Sequence, residues 1–154
     1  MTHHYEITIC WTGNLGSGTS GYKEYSRDHI ISAKDKPEIL ASSDSVFQGD
    51  SKKYNPEDML VASLSSCHML WYLHLCADHG ITVSNYEDQA TGIMEVLKNG
   101  SGHFTKVTLY PKVLIKEADK VKLATELHEK AHQYCFIANS CNFPIHHIPT
   151  ILVL

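Results

Sequence analysis

Asn55-Pro56-Glu57-Asp58-Met59-Leu60-Val61-Ala62-Ser63-Leu64-Ser65-Ser66-Cys67-His68 is the stretch from which the fold can be read. Asn55 suits an N-cap and Pro56 the first helical position, where a missing N–H costs nothing. Glu57 and Asp58 then fall at the positive end of the helix dipole. Met59, Leu60, Ser63, Leu64, Cys67, Leu70, Trp71 and His74 follow at three- and four-residue steps, and Gly80 offers a left-handed stop. The pattern predicts one helix starting at Pro56, roughly 24 residues and about 36 Å long. Ala62, Leu73, Leu75 and Ala77 place apolar groups on its remaining faces, so it is expected to be central and buried on most sides.

Upstream, Tyr5, Ile7, Ile9 and Trp11 alternate with polar residues as a half-buried strand would, and Gly13 to Gly21 reads as a Gly/Ser-rich loop. A second strand is expected over Tyr22 to Ser32. A short apolar segment at Ile39-Leu40 follows, between turns at Asp35-Lys36-Pro37 and Gln48-Gly49-Asp50. Downstream, Ile81-Thr82-Val83 opens a strand region. Two patterned runs, Tyr86 to Leu97 and Phe104 to Ile115, flank Asn99-Gly100, a hairpin signal. A second helix is expected from about Glu117 to Tyr134, with Val121, Ala124, Leu127, Ala131 and Tyr134 on one face, and Ile148 to Leu154 reads as a closing strand. The class is α+β: antiparallel strands, a long central helix and a second helix.

At 154 residues the chain is expected to form a single domain, 1–154. Its 43% hydrophobic and 19% charged content is that of a globular protein. The net charge of −4 leaves no basic footprint for nucleic acid or an anionic membrane, and neither is expected as a partner. No leader-like start is seen, and no run approaches the ~18 uninterrupted apolar residues of a membrane span. The five cysteines (Cys10, Cys67, Cys76, Cys135, Cys141) are odd in number and include no C-x-x-C, which fits a reduced, cytoplasmic protein better than a disulfide scaffold. Two counts stand out: 11 histidines, and a single arginine, Arg27, among 13 basic residues.

Two constellations could carry chemistry. His128-Glu129-Lys130-Ala131-His132 matches H-E-x-x-H, in which two imidazoles one turn apart hold zinc and the Glu acts as base. A third ligand is missing: Cys135 and Ala138 stand where the extended motif needs Gly and His, and no acid follows Glu129. The match therefore reads as an exposed face of an amphipathic helix, and no metal is expected. The other constellation is made of thiols. Cys67 lies in mid-helix and Cys135 at the end of the second helix, and a reactive cysteine needs a cationic or hydrogen-bonding neighbour for its thiolate.

Asn55-Pro56-Glu57-Asp58-Met59-Leu60 with Ala62 and Cys67 resembles the N-P-E-x-L-L-x-A-x-x-x-x-C signature of the OsmC/Ohr family of thiol peroxidases. Ala131-His132-Gln133-Tyr134-Cys135, with Asn139 after it, is similar to that family's A-x-x-x-C-P-V-S-N stretch, and Tyr25-Ser26-Arg27-Asp28-His29 falls where the family places its arginine. Phe136 and Ala138 depart from the family's Pro and Ser, and Cys76 and Cys141 are extra thiols. The resemblance implies that Cys67 is the peroxidatic cysteine, that Cys135 resolves it, and that Arg27 and Glu57 activate and position. Arg27 would stabilise the Cys67 thiolate and the departing alkoxide, and Glu57 would hold the guanidinium fork. Organic hydroperoxides are expected ahead of hydrogen peroxide. No bound cofactor is implied, only an external dithiol of lipoyl or thioredoxin type.

Helix geometry adds one constraint. Glu57 and Cys67 are ten positions apart, about 15 Å along a straight helix, so Glu57 cannot reach its own Cys67. Either the helix breaks, or Glu57 and Arg27 come from a second copy, as in the intertwined homodimer the resemblance implies. Cys76, on the far side of the helix, and Cys10 are expected to be structural, Cys141 inert unless it competes with Cys135, and His29 and His68 hydrogen-bonded or exposed. Two other classes compete: a binding protein with a small apolar ligand, and a metallohydrolase built on His128, Glu129 and His132.

Overall fold

A computed structural model describes residues 1–154. The long helix, α1, runs unbroken over Pro56–Asp78. Its start is a reciprocal cap: Asn55 Oδ1 accepts from the Asp58 N–H at 2.7 Å, and Asp58 Oδ2 accepts from the Asn55 N–H at 3.3 Å. At the other end Gly80 takes φ +66°, which lets the Ile81 N–H turn back onto the Cys76 carbonyl at 2.8 Å. Lys120 Nζ donates to the carbonyls of His79 and Gly80, at 3.0 and 2.8 Å, where the helix dipole favours a cation. By length and composition α1 could cross a bilayer. Within the chain only one stripe of it is buried (Leu64, His68, Tyr72, Leu75, Cys76), while Ala62, Ser66, Leu70, His74 and Ala77 are exposed. The expectation of burial on most sides is not met by one chain alone.

The chain divides into two compact units, Met1–Met59 and Leu60–Leu154. In the first, β1 (Thr8–Trp11), β2 (His29–Ser32) and β3 (Ile39–Ala41) form an antiparallel sheet in that order, with Ile9 opposite Ile31 and Ile30 opposite Leu40. The strand expected over Tyr22 to Ser32 is shorter, because residues before His29 form turns, such as Glu24 N–H to the Gly21 carbonyl, and one isolated bridge, Tyr25 to Asn14. All of β1 is exposed rather than half-buried, and Ile7, Ile9, Trp11, Leu40 and Tyr54 lie open on this unit.

In the second unit, β4 (Val83–Asp88) pairs with β7 (Pro111–Ile115), and β5 (Thr91–Val96) with β6 (Gly102–Leu109). The hairpin at Asn99-Gly100 is present between β5 and β6, with Gly100 at φ +86°. Each of the two long runs expected around it is split, near Gln89-Ala90 and at Tyr110. Asp88 sits at both breaks: it accepts from the Tyr110 N–H at 2.7 Å and from Ser65 Oγ on α1. The second helix, α2 (Val121–Tyr134), follows a 3-10 turn at Ala118–Lys120. The expected closing strand is β9 (Thr150–Val153), parallel to β7, and an additional strand, β8 (Ile145–His147), precedes it parallel to β6. Both pairs are parallel because the chain returns through α2, a crossover long enough to reverse its direction. The sheets are thus mixed rather than purely antiparallel.

Two apolar clusters hold this unit. Tyr72, Leu75 and Cys76 of α1 pack with Val113 and Ile115 of β7 and with Ala124, Leu127 and Ala131 of α2. Leu64 packs with Val107 and Leu109 of β6, flanked by Phe104, Ile137, Phe143 and Ile145. The first cluster seats α2 against α1, and so brings the C-terminus of α2 to the middle of α1.

Candidate active site

Cys67 is half-buried in the middle of α1, and Cys135 is buried at the C-cap of α2. The backbone leaves the helix there: Cys135 has φ −65° and ψ 109°, its N–H reaches the His132 carbonyl at 3.3 Å, and its Sγ accepts from the Ala138 N–H at 3.4 Å. That turn aims the Cys135 side chain at α1, where its thiol neighbours that of Cys67. Burial, reinforced by the neighbouring Cys67, pushes the Cys135 thiol above its ordinary range. The two cysteines are 68 positions apart in the chain and adjacent in space, both reduced.

A cleft of about 370 Å³ opens at Cys67 and is walled by Leu70, Trp71, His74 and Phe136. The Phe136 ring meets Trp71 edge-on at 5.6 Å between centroids, and Tyr134 lies on Trp71 at 5.2 Å. The Phe that stands in place of the family's Pro therefore forms a wall of the cleft, a role its position in the sequence did not disclose. No motif in the sequence marks Leu70 and His74 as cleft residues. They lie three and seven positions from Cys67, a spacing that puts them on its face of α1.

Arg27 and Glu57 belong to the first unit. The Arg27 guanidinium donates to the carbonyls of Tyr25 and Tyr22, each at 2.6 Å, and forms no ion pair with Glu57 of the same chain. Glu57 is half-buried in the first turn of α1. Because α1 is unbroken, Glu57 stays about 15 Å along the axis from Cys67 of its own chain.

The remaining residues fall as follows. Cys76 is buried on the opposite side of α1, and burial raises its thiol. Cys10 is exposed on β1, and Cys141 is half-buried with Sγ donating to the Ile137 carbonyl at 3.3 Å. His29 Nδ1 meets the Arg27 carbonyl at 2.9 Å. His68 is buried, with Nε2 at 3.0 Å from Nδ1 of His128. The H-E-x-x-H match is thereby taken apart: His128 points into the core, stacked on Tyr72 at 3.8 Å, while Glu129 faces outward to His147 at 3.2 Å. No three His, Cys, Asp or Glu side chains converge in a way that would hold a metal ion.

The family model for OsmC-like protein matches residues 49–148, which span α1, both cysteines and β8. The chain belongs to the OsmC-like family. It is similar to an OsmC-like protein of unknown function from Vibrio cholerae, at 30% identity and a TM-score of 0.86, over 97% of this chain and 100% of that one. An OsmC-like protein from Mycoplasma pneumoniae shares the fold at 14% identity and a TM-score of 0.74, over 99% of each chain. An organic hydroperoxide resistance protein from Elizabethkingia anophelis, with thiocyanate bound, does so at 19% identity and 0.67, over 100% of each chain. No curated protein matches the sequence. In this OsmC-like chain the α+β class and the family expected from the residues around Cys67 and Cys135 both hold.

Proposed function

We propose that this OsmC-like protein is a thiol-dependent peroxidase that reduces organic hydroperoxides through Cys67 and Cys135. The observation that carries this reading is the meeting of the two reduced thiols, one half-buried at an apolar cleft and the other buried behind it. The Cys67 thiolate attacks the distal oxygen of the peroxide, the O–O bond breaks, and the alkoxide leaves with the electron pair and takes up a proton to become the alcohol. Cys67 is left as a sulfenic acid. The Cys135 thiolate then attacks the Cys67 sulfur and displaces hydroxide, which leaves as water, and a Cys67–Cys135 disulfide forms. An external dithiol of lipoyl or thioredoxin type returns two electrons and two protons. The apolar walls of Leu70, Trp71 and Phe136 favour an organic peroxide over hydrogen peroxide, and the name of the Elizabethkingia relative supports the same class.

Arg27 and Glu57 are proposed to act from a second copy of the chain in a homodimer with two equivalent sites. The length of the unbroken α1 supports this, as do the open apolar residues of the first unit and the exposed Leu70 stripe of α1. The five free thiols support a reducing, cytoplasmic setting. The test is turnover of an alkyl hydroperoxide with a dithiol. Cys67→Ser is expected to abolish it. Cys135→Ser is expected to stop after one equivalent, without the loss of two hydrogens expected in the intact mass of the parent. Parent-like turnover by Cys67→Ser would overturn the reading, and sedimentation as a monomer at micromolar concentration would overturn the shared site.

A further inference from the structure

Arg27 is the chain's one arginine, and its surroundings are unusually complete. Its guanidinium carbon lies over two tyrosine rings, 4.0 Å from the centroid of Tyr25 and 4.5 Å from that of Tyr22. Two of its nitrogens donate to the carbonyls of the same two residues, each at 2.6 Å. The segment that supplies these contacts is itself pinned to the start of the chain. The Tyr25 ring meets Trp11 edge-on at 5.9 Å, Trp11 Nε1 donates to the Ser26 carbonyl at 2.8 Å, and the Ser26 N–H reaches the Gly13 carbonyl at 2.9 Å. The main chain beyond is held by His29 Nδ1 at the Arg27 carbonyl, 2.9 Å away.

A guanidinium has five N–H donors in a rigid fork. In Arg27 one hydrogen on each of the two terminal nitrogens is spent on the loop's own carbonyls, and the fork's orientation is fixed by them and by the two rings. Neither contact neutralises its charge. The remaining N–H donors stay available to a carboxylate such as Glu57 and to the reacting anion.

We propose that Tyr22 and Tyr25 are positioning residues: their ring faces and carbonyls form a box that presents Arg27 as an oriented cation to the reacting thiolate and leaving oxygen. This rests on the peroxidase reading above and adds to it two residues that touch neither substrate nor sulfur. The rings act through attraction between their faces and the cation, so what matters is the aromatic face and not the phenol hydroxyl.

The test uses the full chain and two readouts: kcat/KM for an alkyl hydroperoxide, and the pH dependence of Cys67 alkylation by iodoacetamide in a Cys10→Ser, Cys141→Ser background. Tyr25→Leu keeps the carbonyl and removes the ring face. It is expected to lower kcat/KM by about threefold to thirtyfold, the range of one cation–π contact, and to shift the alkylation profile to higher pH. Tyr25→Phe is expected to match the parent in both. In an Arg27→Ala background, Tyr25→Leu is expected to have no further effect. Should Tyr25→Leu lose the same factor with Arg27 present or absent, or should Tyr25→Phe fail like Tyr25→Leu, the box is overturned and Tyr25 serves the loop alone. Should Arg27→Ala itself turn over at the parent rate, the box is overturned because Arg27 has no role, while the Cys67→Ser result still decides the peroxidase reading. Circular dichroism and melting of Tyr25→Leu separate local from global loss, and Tyr22→Leu, whose ring does not touch Trp11, gives a second variant with the same expected outcomes.

Discussion

His68 and His128, 60 positions apart in sequence, share one hydrogen bond of 3.0 Å between Nε2 and Nδ1, with ring planes only 9° from parallel. One ring must donate and the other accept, so the two rings cannot both carry a full set of ring protons while the bond lasts. Neither His68 Nδ1 nor His128 Nε2 has a partner. Burial, and then the neighbouring imidazoles, push His68 down to about 4 and His128 down to about 3. His147 and His132 complete the cluster, with His147 stacked on His68 at 5.6 Å and His132 tilted against His147 at 5.8 Å.

This pair makes the fold sensitive to acid at a pH where carboxylates are not yet titrating. The unfolded chain protonates histidine near 6.5, whereas the folded chain resists until about 4 and then about 3. The unfolded state therefore binds more protons below 6.5. Stability is fully present above that value, and is lost progressively as the pH falls through the folded values. A fall of a few kcal/mol between pH 7 and pH 4.5 is expected, read as a drop in the urea midpoint at constant m-value. The double variant His68→Leu, His128→Leu removes both partners and should flatten that segment of the curve; an unchanged acid slope would show that other groups set it.

Under the proposed mechanism, formation of the disulfide also gains as the pH rises. Burial and the adjacent Cys67 raise the Cys135 thiol, so at neutral pH most of it is protonated and unable to attack a sulfenic acid. Formation of the Cys67–Cys135 disulfide after one equivalent of peroxide should accelerate by about tenfold per pH unit between pH 6.5 and 8.5. Quenched-flow mass analysis follows it directly. A rate independent of pH in this range would mean that a base on the protein takes the Cys135 proton.

Phe136 and Trp71 should set the preference among peroxides. Their edge-on contact at 5.6 Å forms one wall of the cleft at Cys67. Phe136→Ala removes apolar surface that a bulky alkyl or aryl hydroperoxide would cover and that hydrogen peroxide would not. KM for the bulky substrate should rise about tenfold with kcat little changed, while hydrogen peroxide turnover stays within twofold. Equal losses for both substrates would mean that Phe136 supports the Cys135 turn and not the cleft.

Much of this was legible in the chain, and the places where it was not share a cause. Asn55, Pro56 and Gly80 delimit α1 through local capping chemistry, which needs no tertiary information, and Cys67 and Cys135 are marked by the motifs around them. Position along α2 did not reveal that His128 faces inward, because periodicity places a residue on a face without saying what it meets there. Its partner, His68, is 60 positions away. The parallel pairing of β8 and β9 was hidden for the same reason, since strand direction depends on how the chain crosses through α2. The alternating Ile7, Ile9 and Trp11 signalled a strand with a covered face, and in the single chain that face is open.

Gly13 supplies a test of the first unit that does not touch any charged or sulfur-bearing group. A Cβ built on it would lie 1.8 Å from the Ser26 carbonyl oxygen and 2.6 Å from Trp11 Nε1, so the backbone carrying Tyr25, Ser26 and Arg27 would have to move. No rotamer change relieves a clash with main chain. Gly13→Ala should therefore break the Trp11 Nε1 to Ser26 hydrogen bond and cost roughly 1–3 kcal/mol, read in urea. It should also lower peroxide turnover while leaving intact the ability of Cys67 and Cys135 to form a disulfide under a strong oxidant such as diamide, since both thiols belong to the second unit. Loss of diamide-driven disulfide formation as well would show that the damage extends beyond the Arg27 loop, and unchanged turnover with a lowered melting temperature would separate the loop's structural role from any part in the reaction.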